Sequence, residues 1–157
     1  MQRLAALLLI VLAGCASAPG TSAPPAGLPS GARADLGARW VEDGSFRWPP
    51  HDGFDGSVTY LVLPAGVLLD RFGSDHGRFF SPKGATFGAR ALPTVCADLV
   101  YSVYRVSTPL PVKIGSAAPW FDEPGGAIQV ETDATAGQLV ADGVLRRVRT
   151  DAPPCGS

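Results

Sequence analysis

Short runs of β-branched and aromatic residues, separated by glycine and proline, decide what this chain can fold into. Such runs are typical of short strands, and they lie at residues 58–63, 67–73, 98–106, 110–115, 126–132 and 144–149. The chain carries 19 glycines and 15 prolines among its 157 residues, a content that suits many tight turns. The pattern therefore predicts a small sheet of short strands.

One segment has the signals of a helix. Thr135 can cap "AGQLVAD", which begins at Ala136, and Gly143 supplies a left-handed stop. Residues 73–93 are rich in glycine and are predicted to be irregular. We expect an α+β domain dominated by a small, mostly antiparallel sheet, with few helices and with loops rich in glycine and proline.

The N-terminal residues have the pattern of a bacterial lipoprotein signal peptide. Arg3 precedes the apolar residues 4–12, and "LAGC", which ends at Cys15, resembles a lipobox. The apolar run is too short to span a bilayer, which takes roughly 20 residues. We predict a signal peptide over residues 1–14 and lipidation of Cys15. The alternative is an ordinary cleaved signal peptide.

Composition divides the rest of the chain into two parts. Residues 15–35 are mostly Ala, Pro, Gly and Ser, and they are predicted to form a flexible tether. Residues 36–157 are predicted to form one folded domain. We expect an exported protein, either held at the cell-envelope membrane by a lipid anchor or secreted.

Two cysteines remain after Cys15, namely Cys96 and Cys155. In an exported protein such an even pair predicts a disulfide bond; the alternative is two free buried thiols. Neither cysteine has the spacing of a metal site, so no metal is expected. The formal net charge of −1 and the lack of a basic block argue against nucleic acid as a partner.

The stretch "LLDRFGSDHGRFFSP" combines arginine with aromatic residues and glycine. The planar guanidinium groups of Arg71 and Arg78 suit phosphate, and Phe72 and Phe79 can stack on a flat ring. Glycine lets a ligand approach the backbone. The alternative is structural: ion pairs with the neighbouring aspartates, and phenylalanines that belong to the core.

A second candidate lies in "APWFDEPGGAIQVET". Residues two apart in a strand share a face, so Gln129 and Glu131 point together while Ile128 and Val130 are expected to face the core. Gln129 and Glu131 are then expected to face a cleft bounded by the stiff loop around Trp120. The alternative is the solvated face of an edge strand.

Taken together, these blocks resemble one family. "FRWPPHDGFDG", "GVLLDRFGSDHGRFFSPKGATFGARALP", "YRVSTPLPVKIGSAAPWFDEPGGAIQVET" and "LVADGVLRRV" are similar, in that order, to the TNT domain. This is the NAD glycohydrolase domain named for the tuberculosis necrotizing toxin. The resemblance covers roughly residues 46–148.

The resemblance implies hydrolysis of NAD to ADP-ribose and nicotinamide, with NAD as the substrate and no cofactor. Gln129 matches the family's catalytic glutamine, and Arg71 matches an arginine expected to engage the dinucleotide and assist catalysis. The substrate-binding residues implied around them are Phe72, Arg78, Phe79, Trp120 and Glu131. The implied partners are NAD, the membrane through a lipid anchor, and an immunity protein if the chain is a toxin.

One departure from the family pattern leaves the activity open. The family's strand reads Ile-Gln-Tyr, whereas this chain has Val130 and Glu131 after Gln129. A Gln-x-Glu pair on a strand is the arrangement that mono-ADP-ribosyltransferases use beside the nicotinamide ribose. A mono-ADP-ribosyltransferase and a non-catalytic envelope lipoprotein are therefore the alternatives to a glycohydrolase.

Overall fold

The computed structural model describes residues 27–148 and 153–155. The predicted signal peptide, Cys15 and the first part of the predicted tether lie outside the described residues. Within the rest of that tether, Ala32 forms an antiparallel bridge with Thr94, and Arg33 forms an ion pair with Glu123. Contacts with the domain are therefore already made by residues 32 and 33.

The described chain is built mostly of antiparallel strands. They are β1 (Val41–Glu42), β2 (Ser45–Phe46), β3 (Phe54–Leu63), β4 (Leu68–Phe72), β5 (Phe79–Pro82), β6 (Tyr101–Val106), β7 (Leu110–Ala117), β8 (Ile128–Glu131) and β9 (Leu145–Val148). The last seven form one sheet in the order β3-β7-β8-β5-β4-β6-β9, with antiparallel pairs, and β1 and β2 form a separate hairpin. This arrangement confirms the predicted mostly antiparallel sheet.

The helix α1 (Ala136–Ala141) is the one α-helix in the described residues; it begins as predicted and ends one residue before the predicted Asp142. Thr135 and Gln138 form a capping box, in which each side chain bonds the other's backbone N–H. Gly143 adopts φ 72° just after the helix, the left-handed conformation that ends helices. No helix in the described ranges is both long enough and apolar enough to cross a membrane.

The hydrophobic core lies between the sheet and α1. Leu139 and Ala136 of the helix pack with buried side chains from β4 to β9. The buried cluster comprises Leu69, Phe80, Tyr104, Val106, Leu110, Val112, Val130, Ala136, Leu139 and Leu145. Burial of this apolar surface is the main stabilising contribution to such a fold.

Residues 73–93 are not irregular throughout, so that prediction is wrong in part. Residues 79–82 form β5, which lies inside the sheet between β8 and β4. The stretch "FFSP" is too short to show an alternating pattern, and pairing with two neighbouring strands makes it a strand. A smaller correction concerns β6, which begins at Tyr101 because Cys96–Asp98 form a 3₁₀ turn.

The predicted disulfide bond is confirmed. Cys96 and Cys155 are bonded, with their Cα atoms 5.6 Å apart. The bond links residue 155 to the 3₁₀ turn that precedes β6.

Candidate active site

A cleft with two adjoining lobes opens beside the middle of the sheet. We call the smaller one, of about 240 Å³, the Arg71 lobe, and the larger one, of about 340 Å³, the Asp52 lobe. Both lobes are lined by Trp48, Phe79, Arg90, Leu92, Ala117 and Gln129. The larger lobe alone lies in the range of roughly 300–1,000 Å³ that is usual for ligand sites.

Gln129 is presented to both lobes by β8. Its neighbour Val130 is 2% exposed and pairs with Phe80 in the core, so alternation along the strand turns Gln129 away from the core. The Gln129 Nε2 atom donates a hydrogen bond to the backbone carbonyl of Asp52, 2.8 Å away. Because a carbonyl only accepts, the amide oxygen of Gln129 is the end left to accept from a ligand.

The prediction that Ile128 of β8 faces the core is wrong. Ile128 is 51% exposed, although it was expected to face the core with Val130. Ile128 is the first residue of a four-residue strand and pairs with Ser116. This end of the strand lies outside the buried cluster that receives Val130.

Arg71 of β4 is a buried cation in the wall of the Arg71 lobe. Arg71 is 7% exposed, and its burial lowers the pKa of the guanidinium. The Nη1 atom donates to the carbonyl of Phe79 at 3.2 Å. The Nε atom is buried and has no hydrogen-bond partner among the described residues. Because Arg71 lines the lobe, its guanidinium brings positive charge to the wall, which suits an anionic ligand.

Gly77 leaves the space that the Arg71 guanidinium occupies. A Cβ atom at Gly77 would overlap the Arg71 guanidinium, so the arginine would have to shift. The loop that carries Gly77 is held against the start of α1, because the carbonyls of Gly77 and Asp75 accept from Ala136 and Gly137, each at 2.9 Å. Glycine at this position therefore allows the guanidinium of Arg71 to lie where it does.

Replacing Gly77 with alanine is expected to displace the Arg71 guanidinium and to raise KM for the ligand by about tenfold or more. The loop cannot retreat without losing its hydrogen bonds to α1, and Arg71 has little room because it is buried. Gly37→Ala is a control for glycine replacement, since φ there is −63° and the atom nearest to a Cβ would be Asp122 Oδ2 at 3.7 Å, an ordinary contact. Steady-state kinetics with NAD, the substrate that the family resemblance implies, would check this. An unchanged KM in folded Gly77→Ala would contradict the assigned contact.

Arg90 is a second arginine of the cleft and lines both lobes. Its Nη2 atom lies 2.5 Å from Asp70 Oδ1 and donates to the carbonyl of Ala85. Asp70 Oδ2 also accepts from the Tyr101 hydroxyl at 2.7 Å. Burial, and then the hydrogen bond to Asp70, raise the pKa of Tyr101, so its hydroxyl stays a donor. This network holds Arg90 in one orientation.

The aromatic wall of the cleft is formed by Trp48 and Phe79, which line both lobes. Trp48 packs edge-on against Phe121, with ring centroids 5.4 Å apart. The structure puts Trp120 outside the lining of both lobes. The Trp120 indole instead donates to the carbonyl of Arg47 at 2.7 Å. The loop around Trp120 thus supports residues 47 and 48, and Trp48 forms the wall.

Glu131 also lies outside the lining of the lobes. It is 7% exposed and forms ion pairs with Lys113 at 2.5 Å and with Arg78 at 2.8 Å. The same two cations reach Asp52, at 2.9 Å from Lys113 and 4.0 Å from Arg78. These four residues form a charge cluster, which we call the Asp52 cluster, beside Gln129.

Comparisons with known proteins show the family of this chain. The family model described as tuberculosis necrotizing toxin matches residues 62–148. The chain belongs to this family. It is 35% identical over 127 residues to the conidial surface nicotinamide adenine dinucleotide glycohydrolase of Aspergillus fumigatus. That alignment covers 70% of this chain and 54% of the relative, so the chain spans about half of the relative's length.

A solved structure shares the fold of this family member. The tuberculosis necrotizing toxin, solved in complex with its immunity factor, superimposes with a TM-score of 0.57 at 24% sequence identity. The match covers 68% of this chain and 63% of the toxin chain. At this identity the likeness shows a common fold.

Five of the residues predicted for the TNT-family site meet at the cleft: Arg71, Phe72, Arg78, Phe79 and Gln129. Trp48, Asp52 and Arg90 line it as well and were not predicted. The family motifs that contain these three residues could have indicated them: Trp48 and Asp52 lie in "FRWPPHDGFDG", and Arg90 lies in "GARALP". The described residues contain no group of three or more His, Cys, Asp or Glu arranged to hold a metal ion.

The side chains that line the cleft offer three kinds of interaction to a ligand. Three arginines offer planar donors to phosphate groups, and the two aromatic rings that line both lobes offer stacking surfaces. The amide of Gln129 offers one oriented acceptor. This combination suits a ligand that carries both phosphate and flat rings.

Proposed function

We propose that this chain is an NAD glycohydrolase, which hydrolyses the bond between nicotinamide and ribose to give nicotinamide and ADP-ribose. Membership of the TNT family and the relative in Aspergillus fumigatus support the proposal. The observation that carries it is the meeting, in one cleft, of the buried arginine cation of Arg71 with the oriented acceptor of Gln129.

Arg71 and Arg90 are proposed to hold the pyrophosphate of NAD. Both line the Arg71 lobe, and both guanidinium groups are largely withdrawn from water, where a charge-assisted hydrogen bond is stronger. Arg78 lines the Asp52 lobe and adds positive charge there. Because the pyrophosphate does not react, these contacts stabilise the ground state and the transition state alike and govern mainly KM.

Gln129 is proposed to act at the ribose. Nicotinamide leaves from a pyridinium as a neutral molecule, so its departure needs no general acid. The ribosyl group becomes oxocarbenium-like in the transition state, as in other glycoside hydrolysis. Glutamine does not ionise in the relevant range, and its amide oxygen therefore holds a ribose hydroxyl or the attacking water in line.

Trp48 and Phe79 are proposed to enclose a flat ring of the dinucleotide. Both border the two lobes and lie beside Gln129 in the lining. Aromatic side chains that pack against a bound ligand exclude bulk water. The exclusion of water strengthens the electrostatic contacts inside the cleft.

Export, lipid anchoring through Cys15 and action as a toxin with an immunity protein are further proposals. The lipobox-like "LAGC" supports the anchor, and the surface location in the name of the Aspergillus fumigatus relative supports export. Family membership supports the toxin role.

Incubation of the purified protein with NAD, without any protein acceptor, tests the central proposal. We expect nicotinamide and ADP-ribose to be released in equal amounts, as chromatography would measure. Protein heated to denaturation is the control. If NAD is not consumed, or if ADP-ribose is recovered covalently attached to protein, the glycohydrolase proposal fails.

A further inference from the structure

An unusual turn lies directly against Gln129. His51, Asp52 and Gly53 adopt φ angles of 55°, 56° and 82°, so three successive residues are left-handed. Glycine accepts this conformation readily, whereas residues with a Cβ adopt it at a cost. Backbone conformations of this kind persist where the surroundings hold them, and they cluster at functional sites.

Contacts from two neighbouring strands hold this turn. Asp52 Oδ2 accepts from Lys113 Nζ of β7 at 2.9 Å, and Lys113 also reaches Glu131 of β8 at 2.5 Å. The carbonyl of Gly53 accepts from the N–H of Ala118 at 2.8 Å. The hydrogen bond from Lys113 lowers the pKa of Asp52, and the bonds to Glu131 and Asp52 raise the pKa of Lys113. The pair is therefore ionised at neutral pH.

The turn determines which end of the Gln129 amide faces a ligand. The carbonyl of Asp52 accepts from Gln129 Nε2 at 2.8 Å, and this bond requires the carbonyl to point toward β8. If residues 51–53 returned to ordinary conformations, the carbonyl would turn away and the amide could rotate. The acceptor position of the amide oxygen thus depends on the backbone of the turn.

We propose that Asp52 is a positioning residue, whose Lys113-bound carboxylate holds the left-handed turn and thereby orients the Gln129 amide for reaction. This inference rests on the proposed function for its kinetic consequence. It goes beyond that function, because it assigns a task to the Asp52 cluster. Glu131 contributes to the same arrangement, because it also forms an ion pair with Lys113.

Three variants separate this role from a general structural one. Asp52→Ala removes the ion pairs and is expected to lower kcat at least tenfold with KM changed less than twofold. Asp52→Asn is expected to restore most of kcat, because asparagine tolerates the left-handed conformation and can still accept from Lys113. Asp55→Ala is the control, as this exposed carboxylate forms no ion pair among the described residues.

A double variant tests whether Asp52 acts through Gln129. In a Gln129→Ala background, Asp52→Ala is expected to lower kcat no further, since the amide it orients is already absent. An equal loss in both backgrounds would overturn the proposal. So would a folded Asp52→Ala protein with the native kcat, or one in which only KM changes.

Side-chain amide resonances of Gln129, identified by their loss in Gln129→Ala, give a readout that needs no activity. We expect Asp52→Ala to shift them toward the position of a free amide, and Asp52→Asn and Asp55→Ala to leave them in place. If Asp52→Ala leaves them unmoved, the positioning role is wrong, whatever the enzyme does. If the native protein fails to consume NAD while the shift occurs, the proposed function fails and the orienting contact stands.

Discussion

Replacing Gln129 with alanine is expected to lower kcat for NAD hydrolysis a hundredfold or more, with little change in KM. A single positioned polar group that acts in the transition state contributes about 3 kcal/mol, and the Gln129 amide oxygen is the oriented acceptor of the cleft. The fold should survive, because Gln129 turns away from the core cluster. Single-turnover and steady-state rates would check the size of the loss.

Two further variants sharpen this test. Ile128→Ala is a matched control on the same strand, since that side chain is exposed and lines neither lobe, and its rate should be native. Gln129→Glu should be as damaging as alanine, because a carboxylate cannot donate to the Asp52 carbonyl and would add charge beside Glu131. A folded Gln129→Ala protein that hydrolyses NAD at the native rate would remove Gln129 from the site.

Loss of the disulfide bond is expected to have the second large effect, on stability rather than on catalysis. The bond closes a loop between residues 59 apart in sequence. The chain-entropy treatment gives about 4 kcal/mol for a loop of this size. Cys155→Ser should lower the free energy of unfolding by up to that amount, as urea titration under oxidising conditions would measure.

The same experiment has an internal control. Reductant should destabilise the native protein to the level of Cys155→Ser and should leave the variant unchanged. The kinetic constants for NAD should stay native in the folded variant, because neither cysteine lines the cleft. Equal denaturation midpoints for the oxidised native protein and the variant would show that the bond does not stabilise the domain.

Much of the fold could be predicted because its signals are local. The cap at Thr135 and the glycine at Gly143 bracket α1 within a few residues, and the bonds that make the cap are local as well. The longer strands carry enough β-branched and aromatic residues to be recognised alone. The four residues of β5 do not, and their strand conformation comes from pairing with β4 and β8.

Some residues of the candidate site could likewise be predicted from local motifs, whereas their contacts could not. Arg71 and Gln129 stand in motifs that can be read from the sequence, and both line the cleft. The hydrogen-bond partner of Arg71 lies 8 residues along the chain, whereas the partners of Gln129 and Trp120 are distant in sequence. Gln129 bonds a carbonyl 77 residues away, and the Trp120 indole bonds one 73 residues away.

The sequence by itself determined the kind of strands this chain forms, the ends of its helix, the pairing of Cys96 with Cys155 and the family resemblance. The strands and the helix depend on short-range backbone preference, the disulfide on counting cysteines, and the resemblance on sequence motifs. Only the tertiary structure decided that Trp48 rather than Trp120 borders the cleft, and that Glu131 forms an ion pair with Lys113 instead of lining the cleft. Burial and charge pairing depend on which residues meet across the sheet, and that meeting is decided by strand register and packing.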